Sequence, residues 1–342
     1  MGKRLKECSI LLLLLTLGLS ALHAQTYDEL WKQVKKAQEK SLPQTVVKLT
    51  DEIYRKGREE QNAPQMLKAY VCREKYQEEL TPDSLYANLK YMEQWVQAEK
   101  NPVNKSILHS LLAYEYAGLM RNNRYALRNR TLLEGEKAPD DVREWSTTQF
   151  LNKIDEHAIA SLQDSIRLLE ASADAYIPFI IQEDGSRFYR HDLYHLLSNR
   201  AISVYGDWSG FDVDSLMQAR IHAVYANMIN AYRHRTGMED AVVLCSLDYW
   251  SWKVEGNSYS GVMRMPEEQE PETAVRALDD LIREFGNREV CAEAYIKKAA
   301  YLRTGTNGRS VAEALKACDE GLKRYPSYKR INELKNIREG IL

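Results

Sequence analysis

The chain has 342 residues, enough for one large or two modest domains with a sizeable buried core. Hydrophobic residues make up 44% and charged residues 28%, which is typical of soluble globular proteins rather than disordered or membrane proteins. The formal net charge of −2 gives the chain no overall attraction to nucleic acid or acidic lipid. Gly (16) and Pro (9) are scarce, which argues against an all-β fold with many tight turns.

The first 24 residues have the layout of a secretory signal peptide. Basic residues near the start precede an uncharged stretch over residues 9–22, and small residues follow up to Ala24. The uncharged stretch is shorter than the about 20 apolar residues that a membrane-spanning helix needs, and no later stretch is long enough either. We therefore predict cleavage near Ala24, with Ala21 as the alternative, and export to the periplasm or cell envelope.

Four cysteines remain in the predicted mature chain: Cys72, Cys245, Cys291 and Cys318. An even number permits two disulfides in an exported protein, and no C-x-x-C pair indicates a zinc ribbon or a redox site. On two antiparallel helices that turn near residue 306, Cys318 would face Tyr295, about 6 Å along the axis from Cys291. We expect buried thiols rather than disulfides.

Prolines mark a regular succession of helices in the first part of the chain. Four of them stand 18 to 21 residues apart: Pro43, Pro64, Pro82 and Pro102. Proline is tolerated in the first turn of a helix but not in its interior, so each should open a helix, with Thr81 and Asn101 as caps. Apolar residues recur between them with helical periodicity. The sequence therefore predicts an all-α solenoid of stacked, TPR-like helix pairs.

Helical periodicity continues beyond these prolines with less regular spacing. The pattern predicts a long, interrupted helix over residues 140–173 and a helix over residues 191–204. A third helix should run from Asp212 or Asp214, either of which would cap it, to about Arg235.

We predict three segments after the signal peptide. Residues 25–255 form a helical-repeat domain, residues 256–271 an acidic linker or loop, and residues 272–342 TPR-like helical hairpins. The last segment contains residues typical of the second helix and terminal proline of a tetratricopeptide repeat: Ala314, Gly321, Tyr325 and Pro326.

His191 and His195 are four residues apart, so a helix would place them on one face, as in zinc metalloproteases. In those enzymes Glu follows the first histidine, whereas here Asp192 follows it, and no third ligand is indicated downstream. The alternative is a helix start whose histidines cap or pack. We predict no metal site, and a metal-dependent hydrolase stays a distant third hypothesis.

Basic residues surround Tyr125: Arg121, Arg124, Arg128 and Arg130. Such a patch is similar to a groove for nucleic acid or another polyanion. Export and an overall acidic balance argue against that use. We therefore predict a solvated helix face or internal ion pairs, and no nucleic-acid partner.

Aromatic residues stand near predicted turns, and four of them are the candidate partner-binding residues: Trp208, Tyr249, Trp250 and Trp252. Exposed rings would stack on sugars, whereas the alternative is that they fill grooves between helices. The sequence has no nucleophile elbow, phosphate-binding glycine loop or dinucleotide fingerprint, and no carboxylate pair stands out. We therefore predict no enzyme, no catalytic residue and no cofactor.

Six segments carry a further pattern: residues 25–32 (QTYDELWK), 64–70 (PQMLKAY), 80–84 (LTPDS), 99–102 (EKNP), 107–112 (ILHSLL) and 191–197 (HDLYHLL). Together they resemble the N-terminal helical region of the large exported alpha-2-macroglobulin-like proteins of Bacteroidota. That resemblance implies protease trapping by a bait segment, in many members with a reactive thioester. The thioester motif surrounds none of the cysteines, and the family's β-sandwich domains are missing. The resemblance therefore implies a front module, truncated or a fragment, and no catalytic residue.

Two functions remain open from the sequence. The first is a non-enzymatic exported helical scaffold that binds a protein or peptide, or packs on macroglobulin-type domains expected beyond Leu342. The alternative is a free-standing exported helical-repeat protein that binds glycan or peptide through Trp208, Trp250 and Trp252.

Overall fold

The computed structural model describes residues 25–128, 130, 138–183, 192–256, 270–304 and 308–342. Every regular element in these ranges is a helix, which confirms the predicted all-α fold. Within the same ranges, no helix combines the length and the apolar character needed to cross a membrane. The predicted signal peptide lies outside the described residues and stays a prediction.

We number the α-helices in chain order. The first five are α1 Tyr27–Glu39, α2 Pro43–Glu59, α3 Ala63–Leu80, α4 Ser84–Ala98 and α5 Pro102–Asn122. The next five are α6 Arg124–Leu127, α7 Thr147–Leu162, α8 Ser165–Glu170, α9 Leu193–Gly206 and α10 Asp214–Arg233. The last are α11 Glu239–Glu255, α12 Glu270–Phe285, α13 Cys291–Arg303, α14 Gly308–Arg324 and α15 Asn332–Glu339. Short 3-10 helices cover Val142–Glu144 and Ala173–Tyr176.

The described residues fall into two compact units. The first unit holds residues 25–88 and Tyr176–Ile181, and the second holds Leu89–Ala175 and Gln182–Leu342. The boundary therefore lies inside α4. The predicted linker over residues 256–271 stays a prediction. Most of that linker, residues 257–269, lies outside the described residues. Because α11 packs against both α12 and α13, the C-terminal hairpins belong to the second unit.

Prolines open three helices as predicted: Pro43, Pro64 and Pro102. The Asn101 side chain caps α5 by accepting hydrogen bonds from the N–H groups of Val103 (2.9 Å) and Asn104 (3.1 Å). Pro82 differs, because α4 begins two residues after it. Thr81 was expected to cap that helix, but it closes α3 instead, where its N–H donates to the last turn.

Left-handed residues end α1 and α2. Ser41 (φ 53°) and Gln61 (φ 54°) follow the two helices in this conformation. The next N–H then reaches back into the helix, from Leu42 to the Ala37 carbonyl at 3.0 Å, and Asn62 bonds to α2 in the same way. This Schellman arrangement stops each helix and turns the chain toward the next one.

The first unit is built from amphipathic helices. α1, α2 and α3 bury side chains spaced mainly three or four residues apart: Leu30, Val34, Ala37, Val46, Ile53, Leu67 and Tyr70. Charged residues cover the outer faces of α1 and α2. Burial of each large apolar side chain stabilises such a unit by roughly 2 kcal/mol, so one face per helix holds it together.

The second unit packs more of each helix. α5 lies against α7 and α9, and α9 to α15 pack on their neighbours in the chain. α9 and α11 are buried around most of their circumference, polar positions included. The predicted interrupted helix forms as α7 and α8, with Asp164 capping α8 after the break. α10 begins at Asp214, yet neither Asp212 nor Asp214 caps it.

All four cysteines in the described chain are free thiols. Cys245, Cys291 and Cys318 are buried, which confirms the expectation for three of them, whereas Cys72 is half-buried. Gly321, one turn after Cys318, lies against Tyr295: a Cβ atom at Gly321 would stand 3.0 Å from the Tyr295 Cβ. The absent side chain therefore allows α13 and α14 to approach closely.

Candidate functional site

The four candidate aromatic residues do not form an exposed platform. Trp208 and Trp252 are each only 1% exposed, so neither presents an open ring face and the packing alternative describes both. Trp208 packs edge-on against Tyr205, with ring centroids 5.1 Å apart. Large rings fill the gaps between helices here, because the burial of so much apolar area outweighs exposure. Tyr249 and Trp250 are half-buried and contact each other edge to face.

His195 lies in the core of the second unit, and His191 lies outside the described residues. Asp192 caps α9 by accepting the His195 N–H (2.9 Å), and it also accepts the Tyr232 hydroxyl (2.8 Å). Among the described residues, no group of three or more His, Cys, Asp and Glu side chains is arranged to hold a metal ion.

A cysteine and a histidine meet in the same core. Cys245 Sγ lies 3.7 Å from His195 Nε2, a pairing that resembles a nucleophile and its base. Both side chains are buried, however, and desolvation raises the pKa of the Cys245 thiol well above its usual range. A catalytic cysteine needs an accessible thiolate, so this contact is part of the packing.

The basic patch makes contacts within the second unit. Arg121 forms an ion pair with Asp207 at 2.5 Å, and Arg124 stacks on Phe211 at 4.9 Å. Arg130 donates to the Trp145 carbonyl at 3.1 Å. Arg128 is exposed. The predicted combination of internal ion pairing and a solvated face therefore describes this patch.

A groove of about 680 Å³ lies in the first unit between α1 and α2. Residues at helical spacing line it from both helices, since Gln33, Lys36 and Lys40 share one face of α1. Lys48 and Glu52 do the same on α2. The groove therefore follows the two helix axes and is not a closed cavity.

The groove combines an apolar floor with a basic rim. Ala37, Leu42 and Leu49 supply the apolar surface, and Leu42 is 45% exposed. Three exposed lysines stand around it: Lys36, Lys40 and Lys48. Within the described part of the chain none of the three forms an ion pair, and Glu52 is the one acidic residue in the lining. The sequence signal was the lysine pair four residues apart on α1, which sequence analysis did not single out.

A buried polar network in the second unit joins α4, α5 and α7. His157 is 1% exposed; its Nε2 lies 3.0 Å from Glu93 Oε1 and its Nδ1 lies 2.8 Å from His109 Nδ1. Tyr116 donates its hydroxyl to the same Glu93 oxygen (2.9 Å) and stacks on the His157 ring. These residues are up to 64 positions apart, and no local pattern connects them.

The hydrogen bonds of this network determine which of its nitrogen and oxygen atoms carry a proton. His157 Nε2–H donates to the Glu93 carboxylate, so the His109–His157 contact needs one proton between the two Nδ1 atoms. Burial, and then the charges of His157 and Lys105, lower the pKa of His109 to about 4. Burial opposes ionisation of Glu93, but the hydrogen bond and charge of His157, with the charge of Lys153, lower its pKa to about 2. The network therefore ties three helices together and is sensitive to acid.

Comparisons with protein-family models, with curated proteins and with solved structures return no match to this chain. The macroglobulin resemblance therefore rests on the six sequence segments alone.

Proposed function

We propose that the protein is a non-enzymatic, exported helical scaffold that binds an acidic peptide segment of a partner protein. The groove between α1 and α2 carries this proposal, because it joins exposed apolar surface to three lysines that have no carboxylate partner in the described residues. Peptides that bind helical grooves place apolar anchors on the floor and charges at the rim. An acidic segment with apolar anchors fits both features.

Two expectations from the sequence extend this proposal. TPR-like stacking of α12 to α15 would make the C-terminal hairpins a second protein-binding element, supported by the buried Ala314 and by the Gly321 contact. The resemblance to macroglobulin-like proteins suggests a partner in cis, namely domains encoded beyond Leu342. Sequencing of the reading frame past Leu342 tests that extension, since a long β-rich continuation supports it and a stop codon contradicts it.

The groove is tested with a fluorescent peptide of alternating Glu and Leu residues and its Lys–Leu counterpart. We expect the acidic peptide alone to bind the chain over residues 25–342, and to bind less at high salt. Charge reversal at Lys36, Lys40 and Lys48 should weaken binding about tenfold or more.

The matched control reverses three exposed charges of the same unit outside the groove: Lys32, Lys35 and Arg55. Both triple variants change the net charge equally, so only position differs. Equal loss in the two variants would mean that binding follows overall charge. Equal affinity for the basic peptide would remove the groove as an acidic-peptide site.

A further inference from the structure

Arg200 is a half-buried cation that pairs with no carboxylate among the described residues of the second unit. It lies on α9, where its Nε donates to Ser110 Oγ on α5 (3.3 Å). Its guanidinium carbon stands 5.1 Å from the centre of the Tyr114 ring, also on α5. Glu115 acts on it electrostatically, but within the described residues Arg200 forms no ion pair.

Two of the other stacked arginines also pair with a carboxylate, whereas Arg124 and Arg324 stack without an ion pair among the described residues. Arg73 stacks on Tyr70 (5.1 Å) and pairs with Asp51 at 2.6 Å. Arg233 stacks on Phe285 (5.7 Å) and pairs with Glu284 at 2.5 Å. Both combine an aromatic face with a carboxylate at the guanidinium edge. Arg200 has the aromatic face and a hydroxyl, but no carboxylate in the described ranges pairs with it.

The guanidinium edge formed by the two Nη groups of Arg200 remains available to bind two oxygen atoms at once. A guanidinium has five N–H donors, and Ser110 takes only one of them. Neither Nη atom of Arg200 is among the enclosed, unpartnered polar atoms of the structure, so solvent reaches them. Tyr114 is 44% exposed and leads from the surface to the guanidinium. Burial lowers the pKa of Arg200, so the cation is held at a cost that an anion would offset.

We propose that Arg200, Ser110 and Tyr114 form a binding site for an oxyanion, a carboxylate or a phosphate group, held by the two Nη groups. A carboxylate, or two oxygens of a phosphate group, match the guanidinium edge with two parallel hydrogen bonds, and the Tyr114 ring fixes the plane of the guanidinium. The site uses residues of the second unit only and is independent of the groove proposal.

The test titrates the chain over residues 25–342 with sodium phosphate and, separately, with sodium acetate, each against sodium chloride of equal ionic strength. Two NMR signals are followed: the Arg200 Nε–H signal, assigned through Arg200→Lys, and the backbone N–H signal of Tyr114, which is present in every variant. We expect saturable shifts with phosphate, with acetate, or with both, and the stronger ligand identifies the source of the oxyanion. Arg200→Met should bind about tenfold or more weakly.

Two comparisons make the result decisive. Arg233→Met, which removes a stacked arginine that already has a carboxylate, should bind as the wild type does. Arg200→Met should melt at the same temperature as the wild type or higher, since it removes a buried unpaired charge, so a folding defect is not the expected cause of lost binding. An Arg200 signal that shifts only as it does in chloride, or equal affinity in Arg200→Met, would overturn the proposal.

Discussion

The two units solve the same problem of helix packing in different ways. In the first unit, α1 and α2 bury one mainly apolar face each and keep most of their polar side chains at the surface, with Thr50 as a buried exception. In the second unit, α9 and α11 are enclosed and carry Asp192, His195 and Asp248 into the core. Because buried polar groups must be hydrogen-bonded, the second unit depends on specific partners, whereas the first depends mainly on apolar area.

This contrast decides where each unit is vulnerable. The Asp192 oxygen that caps α9 also accepts the hydroxyl of Tyr232 in the core. Asn62 caps α3 in the first unit with a single bond of 3.3 Å to Gln65, closer to solvent. The Asp192 cap therefore also stabilises the core, whereas the Asn62 cap stabilises only α3.

The largest effect is expected at Asp192. Asp192→Ala should lower the free energy of unfolding by about 3 kcal/mol, because α9 loses its cap and the buried Tyr232 hydroxyl loses its hydrogen bond to the Asp192 carboxylate. Asn62→Ala should lower it by only about 1 kcal/mol. Chemical denaturation measures both values, with Asp192→Asn as the control that keeps the accepting oxygen. Equal losses for the two Ala variants would show that the second unit does not depend on its buried cap.

Acid should destabilise the second unit through His109. The unfolded residue binds a proton near pH 6.5, whereas the folded one does so only near pH 4. Between these values the unfolded chain binds more protons, so stability is full above pH 6.5 and falls as the pH is lowered to 4. We expect a loss of about 2 kcal/mol, after allowance for solvent screening at this partly exposed ring.

His109→Gln removes the titrating group and keeps a donor toward His157. Its unfolding free energy should change less than that of the wild type between pH 6.5 and 4.5, a window above the acid range in which Glu93 takes up a proton. Glu93 stabilises the fold above pH 4.5, and its contribution is lost as the pH falls toward 2. Parallel pH profiles for wild type and His109→Gln would contradict the assignment to His109.

The smallest effect concerns the left-handed residue after α1. Ser41→Gly should stabilise the chain by up to about 1 kcal/mol, since glycine adopts φ 53° without strain. Gly237→Ala in the second unit is the inverse change: φ is 85° and nothing lies within 4 Å of the added Cβ, so only backbone strain acts. We expect a loss of about 1 kcal/mol there. Melting temperatures of both variants would show whether the turns of the two units follow the same backbone rule.

The sequence predicted the helices better than their assembly. Pro43, Pro64 and Pro102 marked helix starts because proline restricts the backbone locally. The prediction that Thr81 caps the helix after it was wrong, because Thr81 ends α3 and α4 begins only after Pro82. The unit boundary inside α4 has no compositional mark, since it depends on which distant helices pack together.

The candidate sites show the same difference between features that are local in the sequence and features that depend on tertiary packing. Trp208 and Trp252 stood near predicted turns, yet burial decided their role, and Tyr249 and Trp250 came out half-buried. The spacing of the groove lysines was visible in the sequence, but that they have no ion partner in the part of the chain that the structure describes emerged only from the packing of α1 on α2. Arg200 could not be distinguished from other arginines until its neighbours were placed.

By itself, the sequence determined the all-α class and most helix positions, because periodicity, proline and caps act over a few residues. Only the tertiary structure decided the two units, the Glu93–His157–His109 network and the surroundings of Arg200. The contacts in the network and around Arg200 join residues between 23 and 90 positions apart, and their energies depend on burial and on hydrogen-bond geometry. Burial and hydrogen-bond geometry depend on residues that are distant in the chain, so neither can be predicted from a short stretch of sequence.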